Sequence, residues 1–197
     1  MKKKYREMNT QELIRNAQND DYNALEELIR REQKNIYASF YYLDPTRENL
    51  LDLTQEALLR MSKNIKNLRN PKTFKSWLSQ IISNLFYDEL RKKQKAPNLV
   101  SIDTNWQDDE SSCPALNIKD KKAKPEDKTL GNELSNIIQK MIGQLPEQFR
   151  FVIVMREIQG LSYEEIAEIT HTSVGTVKSR IARARSKLQE YLKPYMT

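Results

Sequence analysis

The chain has 197 residues, enough for one ordinary domain or two small ones. It contains only 4 glycines and 7 prolines beside 38% hydrophobic residues, which favours helices and argues against a β-sandwich or barrel. Lys and Arg outnumber Asp and Glu by 33 to 27, a net charge of +6, which suits an anionic partner but also describes a merely basic protein.

Disulfides and metal centres are not expected. The chain has one cysteine, Cys113, and one histidine, His171, so neither a disulfide within the chain nor a zinc site can be assembled from these residues. No nucleotide-binding loop is present, and no cofactor is predicted. The basic N-terminus is not followed by an apolar segment, and the longest apolar run, residues 151–155, is too short to span a bilayer. We therefore expect a cytoplasmic protein with no membrane insertion.

The first half is predicted to form four helices joined by short turns, a compact bundle. Thr10 is the expected cap of the first helix, and the Asp44-Pro45 pair ends the second. The third helix carries Leu51, Leu58, Leu59 and Met61 as its apolar residues. The predicted ranges are about 10–19, 22–42, 48–65 and 71–95.

A change of composition follows this bundle. Residues 97–118 contain four acidic residues and no Lys or Arg, together with Pro, Asn and Ser and no hydrophobic periodicity. Such a stretch predicts an extended linker and a domain boundary. The expected fold is therefore all-α, with one small helical domain at 1–95, a linker at 96–129 and a second helical domain at 130–197.

The second domain ends in a predicted helix-turn-helix. After helices at 130–142 and from Pro146 to Gly160, Ser162 and Glu165 form a capping box that opens a short helix. His171 lies in the turn that follows, where an ordinary surface role is the simpler interpretation. Ser173 is the expected cap of a last helix that runs to about residue 192.

The last helix has the pattern of a DNA-recognition helix. Its apolar stripe comprises Val177, Ile181, Ala184 and Leu188. Small residues lie opposite, so the helix can approach base edges closely, and flanking cations can reach phosphates. A solvated basic face is the alternative, but the capped short helix and the turn favour DNA binding. The candidate contacts are Lys178, Ser179, Arg180, Arg183 and Lys187.

The fourth helix of the first half interleaves aromatic and basic residues. This pattern can stack unpaired bases and neutralise phosphates. The alternative is that the aromatics, Trp77 above all, belong to the core and that the basic run at 91–95 is a solvated helix end. The candidate contacts are Lys72, Phe74, Tyr87, Arg91 and Lys92.

Taken together, these segments resemble the extracytoplasmic-function (ECF) group of sigma-70 factors. The region 2 motifs are DLTQEAL at 52–58, FKSWL at 74–78 and IISNLFYDELR at 81–91. The region 4 motifs are LPEQFR at 145–150, LSYEEIA at 161–167 and GTVKSRIARAR at 175–185. The chain has no room for a region 3 domain, which indicates the ECF group.

The resemblance implies a mechanism and partners. Region 2 would dock on the β′ clamp helices of core RNA polymerase through Asp52, Gln55 and Glu56, and region 4 on the β flap. Region 4 would bind the −35 element of promoter DNA through Lys178, Ser179 and Arg183. Region 2 would melt the −10 element, with Asn84 in the pocket that holds an extruded base. An anti-sigma factor or another regulator is expected.

Three rival functions remain open from the sequence. The first is a helix-turn-helix transcription regulator that does not form a holoenzyme. The second is a metal-dependent nuclease, for which Asp52 and Glu56 at i, i+4 are the only support, so we do not expect an enzyme. The third is an adaptor that binds polymerase without reading DNA.

Overall fold

The computed structural model describes residues 2–95 and 129–195. Every regular element in these two ranges is helical, which confirms the predicted all-α fold class. The 3₁₀ turns are Ile65–Asn67, Pro71–Thr73 and Lys193–Tyr195, and a π-helical turn covers Val154–Ile158. The helices are α1 Lys2–Glu7, α2 Thr10–Gln18, α3 Tyr22–Leu43, α4 Leu50–Asn64, α5 Phe74–Lys95, α6 Thr129–Gln144, α7 Glu147–Ile153, α8 Tyr163–Thr170 and α9 Val174–Leu192.

The start of α2 corrects the predicted cap. Asn9 is the N-cap, and Thr10 is the first helical residue. The backbone N–H of Glu12 donates to Asn9 Oδ1 at 2.9 Å, and the N–H of Asn9 donates to Glu12 Oε2 at 3.2 Å. Both residue types are good caps, but only Asn9 has a glutamate at the third helical position to close the capping box.

The short helix α1 was not predicted. Arg31 of α3 binds it, and the buried Glu27 carboxylate holds Arg31 in place. Glu27 is 6% exposed and accepts hydrogen bonds from Arg30 at 2.7 and 2.8 Å and from Arg31 at 2.8 Å. Arg31 also donates to the carbonyl oxygens of Tyr5 and Arg6, both at 3.0 Å. The hydrogen bond from Arg30, followed by that from Arg31, lowers the pKa of Glu27 to about 2.

Helix α4 divides into a buried side and an exposed apolar side. Its core residues are Leu50, Leu53, Thr54, Ala57 and Met61. Leu51 and Leu59, which the sequence counted with the apolar residues of this helix, are instead 66% and 52% exposed. They lie eight residues apart on the side opposite the core.

The second half contains an irregular turn just before the helix-turn-helix. α6 passes the expected end at Gly143 and stops at Gln144. After α7, the backbone enters the π-helical turn, where the N–H of Gln159 donates to Val154 O at 3.2 Å. Gly160 follows at φ +71°, a conformation that favours glycine, and the chain turns into α8.

The two halves pack against each other through one continuous hydrophobic cluster. The Phe151 ring of α7 lies 5.2 Å from the Tyr87 ring and 6.3 Å from the Phe86 ring of α5, measured between centroids. α3 contacts α6, α7 and the π-helical turn. This packing was not predicted from the sequence, which placed the halves apart.

Some sequence predictions lie outside the described ranges. The acidic stretch 97–118 and Cys113 fall there, so the linker and the domain boundaries stay predictions. Within 2–95 and 129–195, no helix is both long enough and apolar enough to cross a membrane. The same residues contain no cluster of His, Cys, Asp and Glu that could hold a metal ion.

Candidate nucleic-acid interface

The helix-turn-helix predicted from the sequence is formed by α8 and α9. Ser162 Oγ accepts a hydrogen bond from the Glu165 N–H at 3.1 Å, and the Ser162 N–H donates to Glu165 Oε2 at 2.8 Å, which confirms the capping box. His171 ends α8 in the left-handed conformation at φ 53°. The Thr176 N–H donates to Ser173 Oγ at 3.0 Å, which confirms Ser173 as the cap of α9. These caps give acceptors to backbone N–H groups that the first turns of α8 and α9 would otherwise leave without a partner.

The two sides of α9 differ as predicted. Val177, Ile181 and Ala184 are at most 1% exposed and anchor the helix on α7 and α8. The outward side is basic or small, and it is open to solvent. Lys178, Ser179, Ala182, Arg183, Arg185 and Ser186 are exposed, while Arg180 and Lys187 are half-buried.

Two cations lie close to the Tyr163 ring beside this outward side. The sequence did not predict this arrangement. The Arg156 guanidinium lies 4.7 Å and the Lys178 ammonium 5.8 Å from the centroid of the Tyr163 ring. Arg185 pairs with Glu157 at 2.6 Å, and that hydrogen bond raises the pKa of Arg185. The cation–π contacts restrict the side chains of Arg156 and Lys178, so ordering them in a complex would cost less conformational entropy. Tyr and Lys at 163 and 178 are too far apart in sequence for helical spacing to reveal the contact.

The predicted polymerase-binding residues share one side of α4. Asp52 and Gln55 are exposed, and Glu56 is half-buried and pairs with Arg60 at 2.7 Å. Leu51 and Leu59 lie on this same side, so it combines apolar and acidic groups. Protein interfaces combine an apolar core with a polar rim, and this side of α4 offers both kinds of group. We call these five residues, 51, 52, 55, 56 and 59, the α4 patch.

The predicted −10 residues divide into exposed and buried groups. Asn84 is exposed on α5 and accepts a hydrogen bond from Gln80 Nε2 at 3.0 Å. Lys72, Arg91 and Lys92 are exposed too, although Arg91 pairs with Asp88 at 3.1 Å and Lys92 with Glu89 at 2.6 Å. These cations are therefore available at the surface, two of them after exchange of a carboxylate partner.

Phe74 and Tyr87 are less accessible than a base-stacking role requires. Phe74 is 3% exposed with its ring 5.9 Å from the Trp77 ring, so we reassign it to the core. Phe74 is the first residue of α5. Burying its apolar ring stabilises the fold more than leaving the ring in solvent would. Tyr87 is half-buried under α7, and burial is the main cause that raises its pKa to about 12.

A cleft of about 860 Å³ separates the outer part of α5 from α8 and α9. Asn84, Tyr87 and Arg91 line it from the first half. Arg180 and the turn 170–172 line it from the second half. Residues predicted to read two different promoter elements thus border one space in this conformation.

Comparison with known proteins identifies the family. The sigma-70 region 2 family matches residues 28–96, and the sigma-70 region 4 family matches residues 135–188. The chain is 32% identical over 190 residues to the ECF RNA polymerase sigma-E factor of Haemophilus influenzae, covering 96% of this chain and 98% of that protein. It belongs to the ECF sigma factors. It is also 34% identical over 187 residues to the ECF RNA polymerase sigma factor SigW of Bacillus subtilis, covering 95% of this chain and 98% of SigW.

A solved structure has the same fold. The sigma factor RpoE of Bartonella quintana, in complex with the anti-sigma factor NepR, matches with a TM-score of 0.62 at 24% identity over 85% of this sigma factor and 96% of that chain. Region 2 of this sigma factor comprises α4, α5 and most of α3, and region 4 comprises α7 to α9 with part of α6. The α4 patch therefore belongs to region 2, and the helix-turn-helix to region 4.

Proposed function

We propose that this sigma factor binds core RNA polymerase and directs it to a discrete set of promoters. The observation that carries the proposal is the outward side of α9, where small and basic residues are exposed beside a core-anchored apolar stripe. Small residues permit close approach to base edges, and the cations neutralise phosphates. The place of action that we propose is the cytoplasm, where a sigma factor meets polymerase and DNA.

The division of labour between the halves follows from their surfaces. We assign the −35 contacts to Lys178, Ser179, Arg180, Arg183 and Lys187 on α9. The exposed side of α5, with Asn84 near its centre, is assigned to the −10 element. Extruding a base costs roughly a few kcal/mol of lost stacking and pairing. Hydrogen bonds to the Asn84 amide and contacts with nearby cations must offset that loss.

The α4 patch is the proposed contact with the clamp helices of polymerase. Leu51 and Leu59 supply apolar area, while the acidic groups at 52 and 56 provide charge that suits a basic partner surface. A helix-turn-helix regulator that forms no holoenzyme, the alternative from sequence, has no use for such a patch or for a region 2. We further propose the β flap as the partner of region 4 and an anti-sigma factor as a regulator, since a relative of the same fold is seen with one.

Holoenzyme formation and promoter melting test the proposal separately. The chain is mixed with core polymerase and followed by gel filtration, and opening of a template is followed by the fluorescence of 2-aminopurine at the −10 element. We expect Asn84→Ala to retain polymerase binding and to lose most of the opening signal. Gln11→Ala, on the exposed side of α2 and outside the cleft, is the control and should retain opening. Equal opening by wild type and Asn84→Ala would contradict the assignment of this side chain.

A further inference from the structure

The −10 and −35 reading surfaces cannot both engage a promoter in the observed conformation. Asn84 of α5 and Arg180 of α9 line the same cleft. Elements centred at −10 and −35 are about 25 base pairs apart, which is roughly 85 Å of B-DNA at about 3.4 Å per base pair. Two residues that border one cleft cannot reach sites so far apart, so the halves must separate when promoter DNA binds.

A single side chain of region 4 reaches into region 2 and joins two of its helices. Gln159 Nε2 donates a hydrogen bond to Ser39 Oγ of α3 at 2.8 Å. Its Oε1 is hydrogen-bonded to the hydroxyl of Ser79 on α5. Ser39 and Ser79 are each 1% exposed, so the two serine hydroxyls are shielded from solvent while Gln159 is half-buried.

The backbone before and after Gln159 turns this side chain toward region 2. Gln159 follows the π-helical turn, and its N–H closes a bond to Val154 O, five residues earlier. π-helical turns inside helical segments are frequent at functional sites. Gly160 at φ +71° then turns the chain toward α8, so Gln159 lies outside that helix.

Other contacts between the halves accompany this one. The Tyr41 hydroxyl is hydrogen-bonded to Gln139 Oε1 of α6. Phe151 packs on Tyr87, at 5.2 Å between ring centroids, and covers part of the α5 surface. The apolar contact gives affinity, whereas the Gln159 amide fixes the register of one half on the other, because a shift would take that amide away from both of its serine partners.

We propose that Gln159 is an autoinhibitory latch, which holds region 4 on region 2 in the free protein and must release before both promoter elements can be read. The inference rests on the proposed function, since it takes Asn84 and Arg180 as readers of different elements. Polymerase binding supplies the free energy for release by offering each half a separate docking surface. The free protein thereby avoids occupying promoters on its own.

The distance between the halves tests this directly. Spin labels are placed at Lys34→Cys on α3 and Glu190→Cys on α9, both exposed, in a full-length Cys113→Ser background, and distances are measured by double electron–electron resonance. We expect one short distance in the free protein and a longer one in the complex with core polymerase and promoter DNA. Gln159→Ala should raise the ratio of open to closed molecules roughly tenfold, the equivalent of losing one or two hydrogen bonds.

Variants on the opposite side of the latch separate it from a role in folding region 4. Ser39→Ala removes a partner of Gln159 from region 2 and should also increase the open fraction, while Gln11→Ala on exposed α2 should not. An unchanged distance distribution in both latch variants, or a promoter complex that keeps the short distance, would overturn the proposal. If the latch variants open but no holoenzyme initiates at any template, the proposed function fails and with it the autoinhibitory role, while Gln159 is still shown to hold the two halves together.

Discussion

The Lys178 ammonium lies 5.8 Å from the centre of the Tyr163 ring, so the first helix of the helix-turn-helix holds a cation of the second in place. Arg156 approaches the same ring at 4.7 Å. A long side chain that is already positioned loses less conformational entropy on binding than a free one. We therefore expect Tyr163 to contribute to DNA affinity through Lys178 and Arg156.

Replacing Tyr163 tests this contribution. Tyr163→Leu should weaken binding to a −35 duplex by about 0.5–1 kcal/mol, since the ring face is lost, and Tyr163→Phe should bind nearly as well as wild type. Fluorescence anisotropy of the labelled duplex measures both. Equal affinities for the Leu and Phe variants would show that the ring does not act through its cation contacts.

Arg183 and Lys187 are expected to contribute to DNA binding in different ways. Arg183→Ala should cost roughly 1–3 kcal/mol on the preferred −35 sequence and much less on a scrambled one, because a base contact is lost. Lys187→Ala should weaken binding to both sequences alike and reduce the salt slope by about 1, because a phosphate contact is lost. The measurement is affinity for the two duplexes over a range of salt concentrations. A sequence-dependent loss for Lys187→Ala would contradict its assignment as a phosphate contact. A uniform loss for Arg183→Ala would contradict its assignment as a base contact.

The exposed leucines of the α4 patch should matter for polymerase and not for folding. The double variant Leu51→Ser and Leu59→Ser should bind core polymerase roughly tenfold more weakly, because apolar area at the interface is lost. Its free energy of unfolding should change by no more than about 1 kcal/mol, since both side chains are more than half exposed.

Tyr22→Ser is the matched control for the α4 patch. Tyr22 is 79% exposed on α3, outside the patch, and its loss should leave polymerase affinity unchanged. A competition assay with a labelled sigma factor measures all three proteins. Equal loss of affinity in the Tyr22 variant would remove the special role of the patch.

Glu27 should make the first half sensitive to acid. Hydrogen bonds from Arg30 and Arg31 lower its pKa from 4.5 to about 2 in the folded state. A carboxyl whose pKa is lower when folded stabilises the protein above about pH 4.5, and this stabilisation is lost as the pH falls from 4.5 toward 2. Glu27→Gln should lower the free energy of unfolding by about 2 kcal/mol at pH 7 and by clearly less at pH 3.

Urea denaturation at the two pH values checks the role of Glu27. Glu7→Gln, an exposed glutamate on α1, provides the control and should have little effect at either pH. A loss of stability by Glu27→Gln that is as large at pH 3 as at pH 7 would mean that the carboxylate charge is not the source.

Local sequence signals predicted much of the fold and of region 4. The Ser162 capping box, the Ser173 cap and the burial of Val177, Ile181 and Ala184 follow from neighbouring residues, and the structure confirms each of them. The cap of α2 was misplaced by one residue because Asn9 and Thr10 are both good caps, and the glutamate at position 12 decides between them.

Features that depend on contacts between distant segments were beyond the sequence. Leu51 and Leu59 have helical apolar spacing, and only the packed bundle shows that both stay exposed to solvent among the described residues. Phe74 carries the same aromatic signal whether it is buried or exposed. Gln159 meets Ser39 across 120 residues, and the π-helical turn that places it there has no simple sequence signature.

Transcription in vitro tests the central claim most directly. Core RNA polymerase is incubated with a fragmented genomic template, with and without this chain, and the 5′ ends of the transcripts are mapped. We expect the chain to add a limited set of start sites that share upstream sequences at −10 and −35, and Arg183→Ala to alter the set. Formation of a holoenzyme that starts nowhere above the background of core polymerase would contradict it.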